Sequence, residues 1–477
     1  MKNIYLVHLG LLLLASPVVV QAQFTYTTNG GAVTITGYTG TASSVTIPSE
    51  TNGLPVTSIG DYAFAVPWPW TPGNPPDTVT SITIPESVTS IGPNAFAYRQ
   101  VLFNITIPNN VTNIGENAFE GCISLPNVTL PASLLSIQDS AFASCYSLSS
   151  INVPSGVSDI GDYAFYQCES ITNMAIPSSV TNIGEYAFFG CFSLTSITIS
   201  NGVTNLGDYS FAECRTLTNV TIPGSVTIIG DQAFADCTSL TNVTISNGVT
   251  SIGYQAFADC TNLNGVSIPN GVSILEDCAF SNCTSLLSAT IPGSVTYIGL
   301  FAFYGCSSLT NLSISNGVIG IGENAFAECT NLSSVTIPGS VLGIEEDAFF
   351  DCTSLTSVFF QGNPPTADAS VLFYDTDATV YYMPGASGWT SPFGGRPAVL
   401  WNPLIQDRGP SFGVSNNQFG FNITGTANIP IVVEATTDLA SSIWTPLITL
   451  TLTNGSFYFT DPLSANISNR YYRISPP

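Results

Sequence analysis

Charge is what this chain has least of. Charged residues make up 8% of its 477 residues, against about 25% in ordinary globular domains. The basic set is short enough to name in full: Lys2, Arg99, Arg215, Arg396, Arg408, Arg470 and Arg473, with His8 as the single histidine. Lys2 and His8 both fall in MKNIYLVHLGLLLLASPVVVQAQ, which has a basic start, an apolar stretch centred on Leu11 to Leu14 and the small-x-small site Val20-Gln21-Ala22. That pattern is expected of a secretory signal peptide over residues 1–22. Cleavage after Ala22 leaves a mature chain without histidine or lysine.

Each absence removes a class of chemistry. Without histidine no side chain of near-neutral pKa can take a proton from a serine or cysteine nucleophile, so triads and dyads are excluded. Histidine zinc ligands go with them. Without lysine there is no phosphate-loop lysine, Schiff base or kinase lysine. Only carboxylate chemistry remains. With Lys2 removed, 31 acidic residues face 6 basic ones, a balance that repels phosphate backbones and speaks against nucleic acid as a partner. Beyond the leader no apolar run approaches the ~20 residues of a membrane span, so the mature chain is expected to have none.

What the chain does have is a period. Phenylalanine, preceded by Ala and once by Ser, stands at positions 64, 96, 119, 142, 165, 188, 211, 234, 257, 280, 303, 326 and 349, and from Phe96 onward every step is 23 residues. The unit reads L-x-x-V-T-I-P-x-x-V-T-x-I-G-[DE]-x-A-F-x-x-C, as in LTNVTIPGSVTIIGDQAFADC from Leu217 to Cys237. Around V-T-I, apolar and hydroxyl residues alternate with the period of two of a short strand. Proline, or serine at Ser200, Ser246 and Ser315, ends that strand. A second extended segment, V-T-x-I, leads through Gly and a carboxylate into the Ala-Phe turn. One coil cannot bury its own apolar residues, so each must stack on its counterpart in the next. The expected fold is mainly β, a parallel solenoid with two straight sides and two corners per coil.

These residues resemble the bacterial leucine-rich repeat of 23 residues, LxxIxLPxxLxxIGxxAFxxC, found in secreted and surface-attached proteins, some of them adhesins. The resemblance covers roughly Val45 to Phe360 and implies a curved solenoid used for binding. It does not identify a partner.

The ends are read separately. After the signal peptide, residues 23–44, with FTYTT-NGG-AVTITGY, are expected to form a hairpin cap. Residues 45–360 are expected to form about 13 coils, and 361–401 a C-terminal cap. Residues 402–410 read as a linker to a small β-sandwich-like module over 411–477, which resembles a C-terminal module recurrent in secreted bacterial proteins through VEATTDL, WTPL, FTDP and RYYR.

Several columns carry candidate chemistry. Eleven of the twelve cysteines, from Cys122 to Cys352, occupy one column; Cys278 lies off it. Disulfides suit a secreted chain, but stacked parallel side chains do not converge as a disulfide requires, and CxxC zinc spacing is missing. Buried thiols capping a turn are expected, with Cys278 a candidate exposed thiol. Carboxylates three residues before Phe, among them Asp139, Asp162, Glu185, Asp208 and Asp231, form a second column. Their spacing suits a retaining glycosidase or calcium bridging; near-equal copies instead suit amide capping, since catalysis needs one pair with separated pKa values. The threonine-rich strand face, such as Thr218, Asn219 and Thr221, has few of the Trp, Tyr and Arg residues typical of binding hot spots. By analogy alone it suggests an ice-binding face.

The remaining candidate site is the insertion VPWPWTPGNPPD, where Trp68 and Trp70 sit in a proline-rich loop and Tyr98 and Arg99 occupy the matching turn of the next coil. They either form a protein or glycan contact site or cover the first coil. The reading is a secreted or cell-surface, non-catalytic repeat protein binding a protein or glycan, with no metal and no cofactor. The alternatives are a structural matrix component and a carboxylate-based glycoside hydrolase.

Overall fold

The computed structural model describes residues 23–67, 77–367, 372–373, 376–415, 417–440, 443–464 and 469–477. The expected signal peptide and the loop with Trp68 and Trp70 lie outside the described residues. The chain divides into two units, 1–194 and 195–477. The regular elements among the described residues are strands. No helix there is long and apolar enough to cross a membrane.

Unit 1 opens on an antiparallel hairpin of Phe24–Asn29 and Ala32–Tyr38. Gly30 and Gly31 make its turn at φ 59° and 83°, the left-handed pair that a two-residue hairpin turn demands. Ala32–Tyr38 then pairs in parallel with Leu54–Ile59, so the hairpin passes its ladder to the coils. Short parallel strands follow in steps of one repeat, as Ser90 on Asn113 and Asp159 on Asn182. A second ladder runs through Ser44–Thr46, Ser81–Thr83 and Asn104–Thr106. The expected corner at Ala-Phe is in fact a third hydrogen-bonded side. The Phe96 amide donates to the Ala118 carbonyl at 2.8 Å and the Phe119 amide to Ala141 at 2.9 Å. To aim those amides along the stack, the residues two before and two after Phe turn left-handed from Phe96 onward, as Asn117 (φ 54°) and Gly121 (φ 68°) do around Phe119. Such strain in non-glycine residues costs about 1 kcal/mol each and is held by hydrogen bonds on both sides. Inside, Phe96, Phe119 and Phe142 stack with ring centroids 5.2 Å apart.

Unit 2 repeats this construction. Asn219–Ile222 pairs in register with Asn242–Ile245, and Phe234, Phe257 and Phe280 stack at 5.2 Å. The ladder does not stop at Phe360: Ser357–Phe360 pairs with Thr379–Tyr382, which pairs with Ala398–Leu400. Residues 402–410, expected as a linker, contribute Leu404–Gln406, a strand paired antiparallel with Gln418–Thr424. That strand belongs to a sheet with Gly413–Ser415 and Ser456–Asp461; a second sheet holds Thr445–Leu452, Ile429–Thr436 and Tyr471–Ser475. Phe359, Tyr381 and Trp401 at the end of the stack share one buried cluster with Phe421, Ile431 and Phe459 of this sandwich. The indole of Trp401 donates to the Pro430 carbonyl at 2.8 Å. The module is therefore seated on the last coil through a common core.

Candidate functional site

On the strand side of a coil, Val and Ile point inward while Thr and Asn point out: Val220 and Ile222 are buried, Asn219 and Thr221 exposed. The outward residues bond along the stack. The Thr241 hydroxyl donates to the Thr218 carbonyl at 3.0 Å, and the Asn242 side-chain amide donates to Asn219 Oδ1 at 3.0 Å. This face is thus a regular polar surface whose side chains are already ordered by their neighbours.

Two grooves open beside breaks in the ladder. In unit 1, Asn127–Val128 pairs with Ser150–Ile151 over two residues only. Beside that short pairing lies a groove of about 540 Å³ whose walls include Asn109, Asn127, Thr129, Asn152 and Ser155. In unit 2 the ladder lapses after Asn242–Ile245, where Gly265–Ser267 begins a separate sheet, and again between Asn311–Ile314 and Ser334–Ile337. Val243 and Ile245, equivalents of the buried Val220 and Ile222, become partly exposed at the first of these breaks. A groove of about 490 Å³ follows, lined by Thr244, Asn247, Ser267, Asn270 and Thr290. Both grooves use the same columns of the repeat and carry no charged residue in their walls. Their volumes fall within the range of small-ligand sites, but their walls are more polar than such sites usually are.

The titratable columns are occupied otherwise. Asp139 Oδ1 accepts the Asp162 amide at 2.9 Å, Asp162 Oδ1 the Glu185 amide at 2.8 Å and Asp231 Oδ1 the Tyr254 amide at 2.8 Å. Each carboxylate caps an amide one coil further on, a repeated role without the asymmetry of an acid and base pair. The cysteines are free thiols. Cys122 Sγ donates to the Phe96 carbonyl at 3.3 Å and Cys237 Sγ to the Phe211 carbonyl at 3.2 Å. Burial pushes the Cys191 and Cys306 thiols up to about 12. Off the column, Cys278 is only half-buried, yet burial and the neighbouring Asp277 raise its pKa too. Its thiolate fraction near neutral pH is correspondingly lower than that of an unperturbed cysteine. No cluster of three or more His, Cys, Asp or Glu suited to a metal occurs among the described residues.

At the insertion, Trp68 and Trp70 lie outside the described residues, and the structure places only Tyr98 and Arg99. Arg99 is buried; its Nη1 meets Asp77 Oδ1 at 2.8 Å and its Nε donates to the Phe64 carbonyl. Its guanidinium therefore fastens the base of the inserted loop to the coil before it. The Tyr98 hydroxyl donates to Glu120 at 2.6 Å, and burial with that carboxylate pushes its pKa up to about 12.

Two features escaped the sequence reading. In unit 2, Tyr297 lies along the outer surface to reach Glu345 at 2.9 Å, over Gly320, where a Cβ would meet its ring at 2.7 Å. In unit 1, Tyr163, Tyr166, Tyr186 and Phe189 join on the turn face. The signal for the second was present: tyrosine at 163 and 186 holds one column of the repeat.

Residues 76–191, 158–287 and 276–384 match, in six copies, the family described as BspA type leucine rich repeat region. No curated protein matches the chain. Among solved structures, a leucine-rich repeat protein from Bacteroides ovatus is 26% identical at a TM-score of 0.56, covering 80% of this chain and 98% of its own. A leucine rich cell surface protein from Faecalibacterium prausnitzii is 29% identical at a TM-score of 0.43, covering 77% of this chain and 94% of its own.

Proposed function

This chain belongs to the BspA-type leucine-rich-repeat family, and on that premise we propose that it is a non-catalytic, secreted or cell-surface protein that binds a protein or glycan ligand on its strand face. The observation that carries this reading is the pair of uncharged grooves built from the same columns of the repeat. Their Asn, Ser and Thr side chains offer hydrogen-bond donors and acceptors, and neutral walls suit a polar, uncharged ligand surface. The leader-like segment at 1–22 and the absence of lysine and histidine after it support an exported, non-enzymatic chain. We place Trp68, Trp70, Tyr98 and Arg99 at the margin of the binding surface, with Arg99 anchoring the loop that carries the two tryptophans.

The test is binding of the mature chain to arrayed host-matrix proteins and glycans beside the groove-filling variants Asn152→Trp and Thr244→Trp. Both positions are exposed, so the fold tolerates the larger side chain. Loss of binding in either variant supports the strand face. Unchanged binding in both, with loss in Trp68→Ala/Trp70→Ala, moves the function to the insertion. A wild-type chain that binds nothing on the array overturns the proposal.

A further inference from the structure

On the turn face of unit 1 the side chains change character abruptly from one coil to the next. The left-handed position two before Phe is filled by Tyr62 in the first coil, by Asn94, Asn117 and Ser140 in the next three, then by Tyr163 and Tyr186, all with φ between 52° and 57°. The position just after Phe runs Ala97, Glu120 and Ala143, then Tyr166 and Phe189. From Tyr163 and Tyr166 onward, two columns thus carry adjacent aromatic residues starting in the same coil. Tyr163 stacks on Tyr186 at 4.9 Å and 5°, and Tyr166 on Phe189 at 5.3 Å and 12°. Tyr163 and Tyr166 meet each other at 5.5 Å with rings tilted by 59°. Both have a ring neighbour one coil onward, whereas one coil back the equivalent residues are Ser140 and Ala143. Tyr163 accordingly stays 39% exposed.

Carboxylates border this opening. Asp139 and Asp162 each use one oxygen to cap the amide of the following coil, and a carboxylate has capacity for further donors. Arg99 is the single cation among the described residues of unit 1, and it is buried against Asp77. No internal positive charge thus balances the patch. The face of an aromatic ring attracts cations, and a planar guanidinium can stack on a ring while bonding a carboxylate at its edge. A compact ammonium fits that combination less well.

We propose that the coil bearing Tyr163 and Tyr166 is a docking site for an arginine side chain of a basic protein segment, its guanidinium lying on the ring face of Tyr163 above Ser140 and bonded to Asp139 and Asp162. This rests on the reading of the protein as a macromolecular binder and names the partner class for a surface separate from the grooves.

The probe is a nona-arginine peptide titrated by calorimetry against the full mature chain. Tyr163→Phe keeps the ring and should bind within about twofold of wild type, whereas Tyr163→Leu should weaken binding about threefold and Tyr163→Leu/Tyr166→Leu about tenfold, as expected for exposed cation–π contacts. Asp139→Asn retains an oxygen to cap the Asp162 amide but loses the charge, and should also weaken binding about threefold. Unfolding curves of Tyr163→Phe and Tyr163→Leu that coincide exclude a folding effect. Equal binding by the leucine variants and wild type, or no binding of nona-arginine at all, overturns the site. So does loss of a neutral glycan, with nona-arginine unaffected, in the leucine variants. The groove variants Asn152→Trp and Thr244→Trp should bind nona-arginine normally, which keeps failure of the groove reading distinct from failure of this one.

Discussion

The coils of unit 2 and the sandwich that ends it solve the same problem, burial of apolar surface in a chain poor in charge, by opposite means. In a coil each buried column stacks like on like or apolar on apolar: Phe257 touches Phe234 and Phe280 at 5.2 Å on its two sides. Titratable groups inside the stack are kept neutral as thiols. In the sandwich no position repeats, and the interior holds a charge. Asp461 is 1% exposed and accepts the Leu463 amide at 2.9 Å and the Tyr472 hydroxyl at 2.7 Å, while Arg470 Nη1 stands 3.0 Å away. Repetition thus lets a core be specified by one class of residue per column. A unique core needs a polar network, or another specific contact such as the Trp401 indole bond, to define one arrangement.

Alkali should separate the two regions most. The cysteines all lie between 122 and 352, so the sandwich has none. Burial raises the thiols of Cys145, Cys168, Cys260 and Cys283 as well as those of Cys191 and Cys306. Above the ordinary thiol value the unfolded chain releases protons that the folded chain retains, so rising pH favours unfolding. Stability should drop by roughly 1 kcal/mol per thiol per pH unit between about pH 9 and about pH 12, and stay level below about pH 8. Urea unfolding across that range measures it; a flat profile contradicts buried thiols. Thiol-directed alkylation of the buried column cysteines at pH 8 should stay slow until urea unfolds the coils, with the half-buried Cys278 the one site open beforehand.

Smaller effects sharpen the contrast. Phe257→Ala empties a column that has rings on both sides and should cost about 3–5 kcal/mol in urea unfolding, with hydrogen-exchange protection lost in the adjoining coils. A loss below about 1 kcal/mol would contradict ring stacking as a main source of stability. Asp461→Ala leaves Arg470 without its charge partner and should cost about 3 kcal/mol, with exchange faster in the sandwich and in the strands packed on Phe359 and Tyr381. Smallest is the cap: Asp231→Ala should lose about 1 kcal/mol, and Asp231→Asn close to nothing, because its amide oxygen still accepts the Tyr254 proton. Equal losses for the two would mean that the charge, and not the hydrogen bond, holds that turn.

Much of this was readable in the chain. The step of 23 residues assigns Phe119, Val220 and Cys237 to buried columns and Thr221 to the surface without any coordinate. Carboxylate capping was also readable, apart from its direction: Asp139 reaches across to the next coil, whereas a helix-like cap would serve its own turn. The hydrogen bonding of the Ala-Phe side was not readable. Left-handed residues such as Tyr163 and Gln232 carry no glycine signature, because bonds from neighbouring coils, and not the residue's own preference, hold them there. Arg99 read as a contact residue because its partner Asp77, 22 positions away, is brought to it only by the path of the insertion.

The repeat and its parallel stacking follow from the sequence alone, because a strict period places like residues in register whatever lies between the units. Tertiary structure alone decided where grooves open beside breaks in the strand ladder, that Trp401 seats the sandwich on the last coil, and that the rings of Tyr163 and Tyr166 meet at a place where one neighbour is missing. Those features depend on small departures from the period. A departure has no consequence until the coils are stacked and its neighbour stands some 5 Å away, the spacing of adjacent strands.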